Sequence, residues 1–162
     1  MISGKTIKNI AFETPATGQG GLIQRMDGGS VSNLTLENIH IKGGTQSAIL
    51  IGRIVGGSSV SLTDITIKDS SVDGKGVGVG SLIGHIQGET KELSTSTVVV
   101  ERIAVLNTKV TSINNSIGGL IGFVYPNYLC YLENNTVISS KVTGETNVGG
   151  LFGYQTGGYN GH

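Results

Sequence analysis

Gly118-Gly119-Leu120-Ile121-Gly122 decides how this chain is read, because variants of the same segment stand at four other places. They are Gly20-Gly21-Leu22-Ile23, Ala48-Ile49-Leu50-Ile51-Gly52, Gly80-Ser81-Leu82-Ile83-Gly84 and Gly149-Gly150-Leu151-Phe152-Gly153, with successive leucines 28, 32, 38 and 31 residues apart. Ahead of them runs a second pattern, apolar residues two, three and two apart: Leu34, Leu36, Ile39, Ile41, then Val60, Leu62, Ile65, Ile67, then Val98, Val100, Ile103, Val105. The first copy keeps Ile7, Ile10 and Phe12; the fifth keeps Cys130, Leu132 and Val137, with Asn135 at the third place. A step of two is the strand period, and a step of three gives one residue to a turn. The residue before the third place is Asn9, Asn38, Asp64, Arg102 or Asn134, and Asn and Asp tolerate a left-handed corner. Each unit therefore reads strand, corner, strand, loop, strand.

A unit of about 30 residues with three short strands cannot bury its own apolar face, whereas stacked copies bury a continuous one. The expected fold is all-β, a right-handed parallel β-solenoid of about five coils. It is expected to form one domain over residues 1–162, with repeats near 4–28, 29–57, 58–88, 98–127 and 128–156. Handedness rests on the bias of parallel crossovers. Unequal intervals fit chain that leaves the coil at a corner, as expected for the polar stretch 88–97 and for Tyr125-Pro126-Asn127-Tyr128. The abundance of Ile, Val, Ser, Thr, Asn and Gly over Ala points the same way.

The Gly-Gly-Leu-Ile-Gly and Gly-Gly-Leu-Phe-Gly-Tyr segments, the latter preceded by Val-Thr-Gly-Glu-Thr-Asn-Val at 142–148, resemble the GLUG repeat of bacterial surface proteins. The repeat also occurs in non-catalytic parts of immunoglobulin A-cleaving metallopeptidases. The match is best at 117–154, fair at 77–86 and weak near 20 and 50, where Gln24 replaces the final glycine and Ala48-Ile49 the glycine pair. The resemblance implies a repetitive surface or adhesin-like segment and carries no catalytic residue.

Charge and composition exclude several functions. Eleven basic and eleven acidic residues, 14% charged in all, leave no electrostatic footprint for nucleic acid. Cys130 cannot form an internal disulfide or a multi-cysteine zinc site and falls in an apolar column, so it reads as a small buried residue. No apolar run approaches a membrane span, and the N-terminus lacks a signal-peptide stretch. A zincin needs two histidines one helical turn apart; His40 and His85 read instead as outward strand residues and His162 as terminal. A carbohydrate-cleaving β-helix would need clustered acids and bases. Asp64, Lys68, Asp69 and Asp73, with Arg53 and Arg102 in flanking coils, are the candidates, but corner geometry already accounts for Asp64 and turn chemistry for Asp69 and Asp73. Gly74-Lys75-Gly76-Val77-Gly78-Val79-Gly80 reads as a corner, because no helix follows to hold a phosphate. No catalytic residue, metal ligand or cofactor is expected. An ice-binding array would need threonines at one strand position, and Thr35, Thr63, Thr66, Thr111 and Thr143 do not supply it.

Within the recurring strand, Leu22, Leu50, Leu82, Leu120 and Leu151 are expected inward and Ile23, Ile51, Ile83, Ile121 and Phe152 on the other face, followed there by Arg25, Arg53, His85, Phe123 and Tyr154. Apolar columns on both faces imply a covering chain, or a bend that takes both into the core; the bend is favoured. Phe123, Tyr125, Tyr128, Tyr131 and Tyr154 are candidates for lateral contacts, and the sequons at Asn33, Asn114 and Asn134 for glycosylation in a eukaryotic secretory setting. The resulting expectation is a non-enzymatic structural or adhesive segment, extracellular or at a cell surface. It would self-associate or continue into further coils of a longer protein, with surface glycans or proteins as other partners. The alternative is a carbohydrate-active or carbohydrate-binding β-helix.

Overall fold

The computed structural model describes residues 4–87, 96–125 and 128–155. All regular structure among them is β. The chain winds as a parallel β-solenoid of about four turns. Pass 1 holds β1 (Lys5–Glu13), β2 (Gln19–Gly20) and β3 (Ile23–Met26); pass 2 holds β4 (Gly29–Lys42), β5 (Gln46–Ala48) and β6 (Ile51–Val55). Pass 3 contains β7 (Val60–Lys68), β8 (Ser71–Gly74), β9 (Val79–Gly80) and β10 (Ile83–Gln87). Pass 4 contains β11 (Thr97–Leu106), β12 (Lys109–Ser112), β13 (Asn115–Gly118) and β14 (Ile121–Val124). Pass 5 contains β15 (Leu129–Glu133), β16 (Thr136–Ile138), β17 (Lys141–Thr143), β18 (Thr146–Gly149) and β19 (Phe152–Gln155). The total falls slightly short of five coils because pass 1, among the described residues, begins at a corner and lacks the strand ahead of it.

Three sheets climb the stack. The first joins β1 with the strands of the apolar alternation; the second runs β2-β5-β9-β13-β18 and the third β3-β6-β10-β14-β19. Every pairing is parallel, for example Leu62 with Val100 and Val100 with Leu132. Val31, Leu34, Leu36, Ile65, Ile67, Val100, Ile103 and Val105 point into one apolar core.

The corner pattern differs from the sequence reading. Two left-handed corners occur in each pass, five residues apart. Asn33, Asp64, Arg102 and Asn134 hold the first, with φ between 51° and 55°, and Asn9, Asn38, Asp69, Asn107 and Ser139 the second, with φ between 45° and 60°. Register puts Leu34 on Ile65 and Leu36 on Ile67, so Asn9 and Asn38 belong one corner further along than Asp64, Arg102 and Asn134. The long run of β4 carries the two-three-two spacing twice, and the sequence comparison chose the other half. Side chains follow the columns: Asn38 Nδ2 donates to Asn9 Oδ1 at 2.9 Å, and Arg102 holds Asp64 through Nε and Nη2 at 2.7 and 2.8 Å. Just past the second corner, Ser70 Oγ accepts from the Ile39 amide and donates to the Lys68 carbonyl, so the turn leaves neither backbone group unpaired.

The glycine segment is a tight bend. The chain turns at Ser81-Leu82 and at Gly119-Leu120, between the second and third sheets, and takes both apolar columns inside: Leu50, Leu82 and Leu120, with Ile51, Ile83 and Ile121, are at most 2% exposed. Its last glycine lies against backbone of the preceding pass. A Cβ on Gly84 would sit 2.7 Å from the Ser47 nitrogen, one on Gly122 2.2 Å from the Val79 nitrogen, and one on Gly153 2.4 Å from the Ile117 nitrogen. The stretch 74–80 is a packed corner, since a Cβ on Gly76 would meet the Thr45 Cα at 2.4 Å. Of the two excursions expected from sequence, residues 88–95 and 126–127 lie outside the described residues.

Candidate interaction surface

The outer face of the third sheet collects the aromatic side chains. Register stacks Arg25, Arg53, His85, Phe123 and Tyr154 in one column. Ring centroids lie 4.7 Å apart for His85 and Phe123 and 5.4 Å for Phe123 and Tyr154, while Tyr125 covers His85 at 6.0 Å and Phe123 at 5.4 Å. His85 is 6% exposed. Burial, and after it the charge of Arg53, pushes its pKa down to about 4, so the ring is neutral and packs as an aromatic. Arg53 Nη2 donates to Gln87 Oε1 on the neighbouring strand β10 at 2.8 Å.

Of the five aromatics expected to form lateral contacts, Phe123, Tyr125 and Tyr154 come together and two do not. Tyr131, 57% exposed, stands on β15 in the first sheet. Tyr128 is 5% exposed and its hydroxyl donates to the Gly56 carbonyl, so it is part of the core and offers no surface. Burying that ring removes apolar area from water, and the bond to Gly56 keeps its one polar atom paired.

The same first sheet carries a groove of about 430 Å³ that the sequence reading did not find. Its walls include Phe12, Glu13, His40, Lys42, Asp73 and Lys109. Asn38 gives its amide hydrogen to Asn9, so Asn38 Oδ1 accepts from His40 Nε2 at 2.8 Å and His40 Nδ1 is left to accept from the Ser71 hydroxyl, also at 2.8 Å. That polarises Ser71, but acyl transfer also needs donors aimed at an oxyanion, and Ser71 lies in a strand paired on both sides. Lys109 and Lys141 are register neighbours of like charge on the rim. The signal was present in the sequence, since His40, Ser71, Lys109 and Lys141 all fall two residues past the second corner; without that corner they looked unrelated.

The acidic candidates are dispersed. Asp64 is held by Arg102 at the first corner, Asp69 accepts from Asn107 Nδ2 at 2.6 Å at the second, and Asp73 faces the groove. Lys68 pairs with Glu37 at 3.3 Å, and Arg53 lies on another sheet. Among the described residues no group of three His, Cys, Asp or Glu could hold a metal ion, and no helix is long and apolar enough to cross a membrane. Asn33 and Asn134 sit exposed at first corners, whereas Asn114 is half-buried, its carbonyl accepting from the Glu145 amide. Cys130 is half-buried over Val98, and burial raises its thiol pKa to about 11. Comparison with protein-family models, with curated proteins and with solved structures found no match for this chain.

Proposed function

We propose that this chain is a non-enzymatic structural or adhesive repeat segment of an extracellular or cell-surface protein, working by association. The observation that supports it is the apolar exposure along pass 5, where Leu129, Tyr131, Ile138, Val148, Leu151 and Tyr154 are all exposed around its three sheets. Large apolar side chains left exposed along one pass fit a surface that meets a partner. The resemblance to the GLUG repeat favours the same reading. Beads coated with the chain are expected to adhere to each other, or to glycan- or protein-coated surfaces, while a glycan panel gives no product. Turnover abolished by Asp64→Ala or Asp69→Ala overturns it.

A second reading, carbohydrate binding, is favoured by the groove and the depression beside it, where Lys42, Lys109 and Lys141 have no acidic partner within 4.0 Å among the described residues. Oligosaccharides bearing carboxylates are the matching probe. Binding lost in Lys109→Ala supports this reading, and no binding to wild type removes it.

A further inference from the structure

We propose that the depression holding Lys109 and Lys141 is a binding site for a sugar acid: the two ammonium groups take the carboxylate of a uronic acid, and Ser71 Oγ accepts a hydrogen bond from a hydroxyl of the same sugar. The assignment rests on the carbohydrate reading and names its ligand class. Lys109 and Lys141 face each other across the parallel pair of β12 and β17, one rung of about 4.8 Å apart. Like charges opposite each other on a sheet repel, and among the described residues no carboxylate lies within 4.0 Å of either ammonium. One anion seated between them pairs both through charge-assisted hydrogen bonds.

The surrounding charges fix where that anion sits. The depression, of about 350 Å³, has His40, Ser71, Ser139 and the two lysines in its wall, with Asp69 as the one carboxylate. Asp69 already accepts from Asn107 Nδ2 at 2.6 Å. Two ammonium groups against one carboxylate leave a surplus of positive charge. The adjoining groove shares His40, Ser71 and Lys109, but there Glu13 and Asp73 balance Lys42 and Lys109. The carboxylate therefore belongs at the Lys109 and Lys141 end, and the rest of the ligand runs into the groove along the stack.

A directed chain of hydrogen bonds sets what Ser71 offers. The Asn38 amide is committed to Asn9, Asn38 Oδ1 accepts from His40 Nε2, and His40 Nδ1 must accept from the Ser71 hydroxyl. With its proton spent on His40, Ser71 presents only acceptor lone pairs to a ligand, the complement of a sugar hydroxyl and not of a second anion. Ser71 is the register neighbour of Lys109, so carboxylate and hydroxyl are received close together, as they stand on one uronic acid ring.

Calorimetric titration of the full chain with tri-mannuronate and with mannotriose, its carboxyl-reduced counterpart, tests this. Wild type is expected to bind tri-mannuronate at least about tenfold more tightly. Lys109→Ala and Lys141→Ala are each expected to weaken tri-mannuronate about tenfold, and Ser71→Ala about fivefold, with far-ultraviolet dichroism unchanged. Lys42→Ala is expected to keep the preference for tri-mannuronate over mannotriose. Equal binding of the two trimers by wild type overturns the inference and leaves the carbohydrate reading standing, whereas binding of neither removes both. Tri-mannuronate binding kept in Lys141→Ala, or a preference lost in Lys42→Ala, overturns the assignment to the lysine pair. Binding unchanged in Ser71→Ala overturns the sugar-hydroxyl contact and leaves a plain anion site.

Discussion

Gly122→Ala tests the account of the glycine segment. The added methyl would lie 2.2 Å from the Val79 nitrogen and 2.6 Å from the Gly78 carbonyl carbon and the Gly84 oxygen, where ordinary contact begins near 3.4 Å. All three atoms are backbone, so relief means prising pass 4 away from pass 3. Overpacking of a core costs about 1–3 kcal/mol when side chains can shift, and with only backbone to yield the expected loss is about 3 kcal/mol. At an m-value of about 2 kcal/mol/M, the urea midpoint falls by about 1.5 M. Gly57→Ala is the control, with nothing within 4 Å of its Cβ; there the lowered freedom of the unfolded chain leaves stability unchanged or raises it by up to about 1 kcal/mol. Hydrogen exchange is expected to localise the loosening to β9 and β14. If the two variants unfold at the same urea concentration, close approach is not why the motif carries glycine.

Three further outcomes follow from the site geometry. Because His85 is neutral in the fold with a pKa near 4, against 6.5 when unfolded, its contribution is complete above pH 6.5 and is lost as pH falls toward 4, up to about 3 kcal/mol. Stability curves for wild type and His85→Phe are expected to diverge across that window, and parallel curves refute the assignment. Asp64, held below the ordinary carboxylate pKa by its bond to Arg102, stabilises the fold above the unfolded pKa and ceases to as pH falls through the folded one; Asp64→Asn is expected to flatten that acid limb in a pH-dependent melting series. Tyr128→Phe removes the bond to Gly56 and is expected to cost about 1 kcal/mol, read by thermal melting; no change would place the hydroxyl in solvent.

The sequence by itself determined the strand class, the repeat and the stacking, because a period of two, a left-handed corner residue and a glycine-rich bend are local signals that recur in every pass. It also located the inward leucines of the inner passes, since alternation assigns Leu50, Leu82 and Leu120 to the core, whereas Leu22 is half-buried and Leu151 is 42% exposed, each lying on a pass with a described neighbour on one side only. Tertiary structure decided what depends on register between passes. A slip by one corner leaves the apolar pattern of β4 intact yet moves Asn9 and Asn38 to a different column, and nothing local tells the two apart. The groove of His40, Ser71 and Lys109 exists only once those columns are aligned. Tyr128 reads as surface in the sequence because it closes the Tyr125-Pro126-Asn127-Tyr128 excursion; the carbonyl that receives its hydroxyl belongs to Gly56, 72 residues earlier. Gln24, a lapse in the motif when read along the chain, is explained by height in the stack: it alone has no described pass beneath it to forbid a side chain.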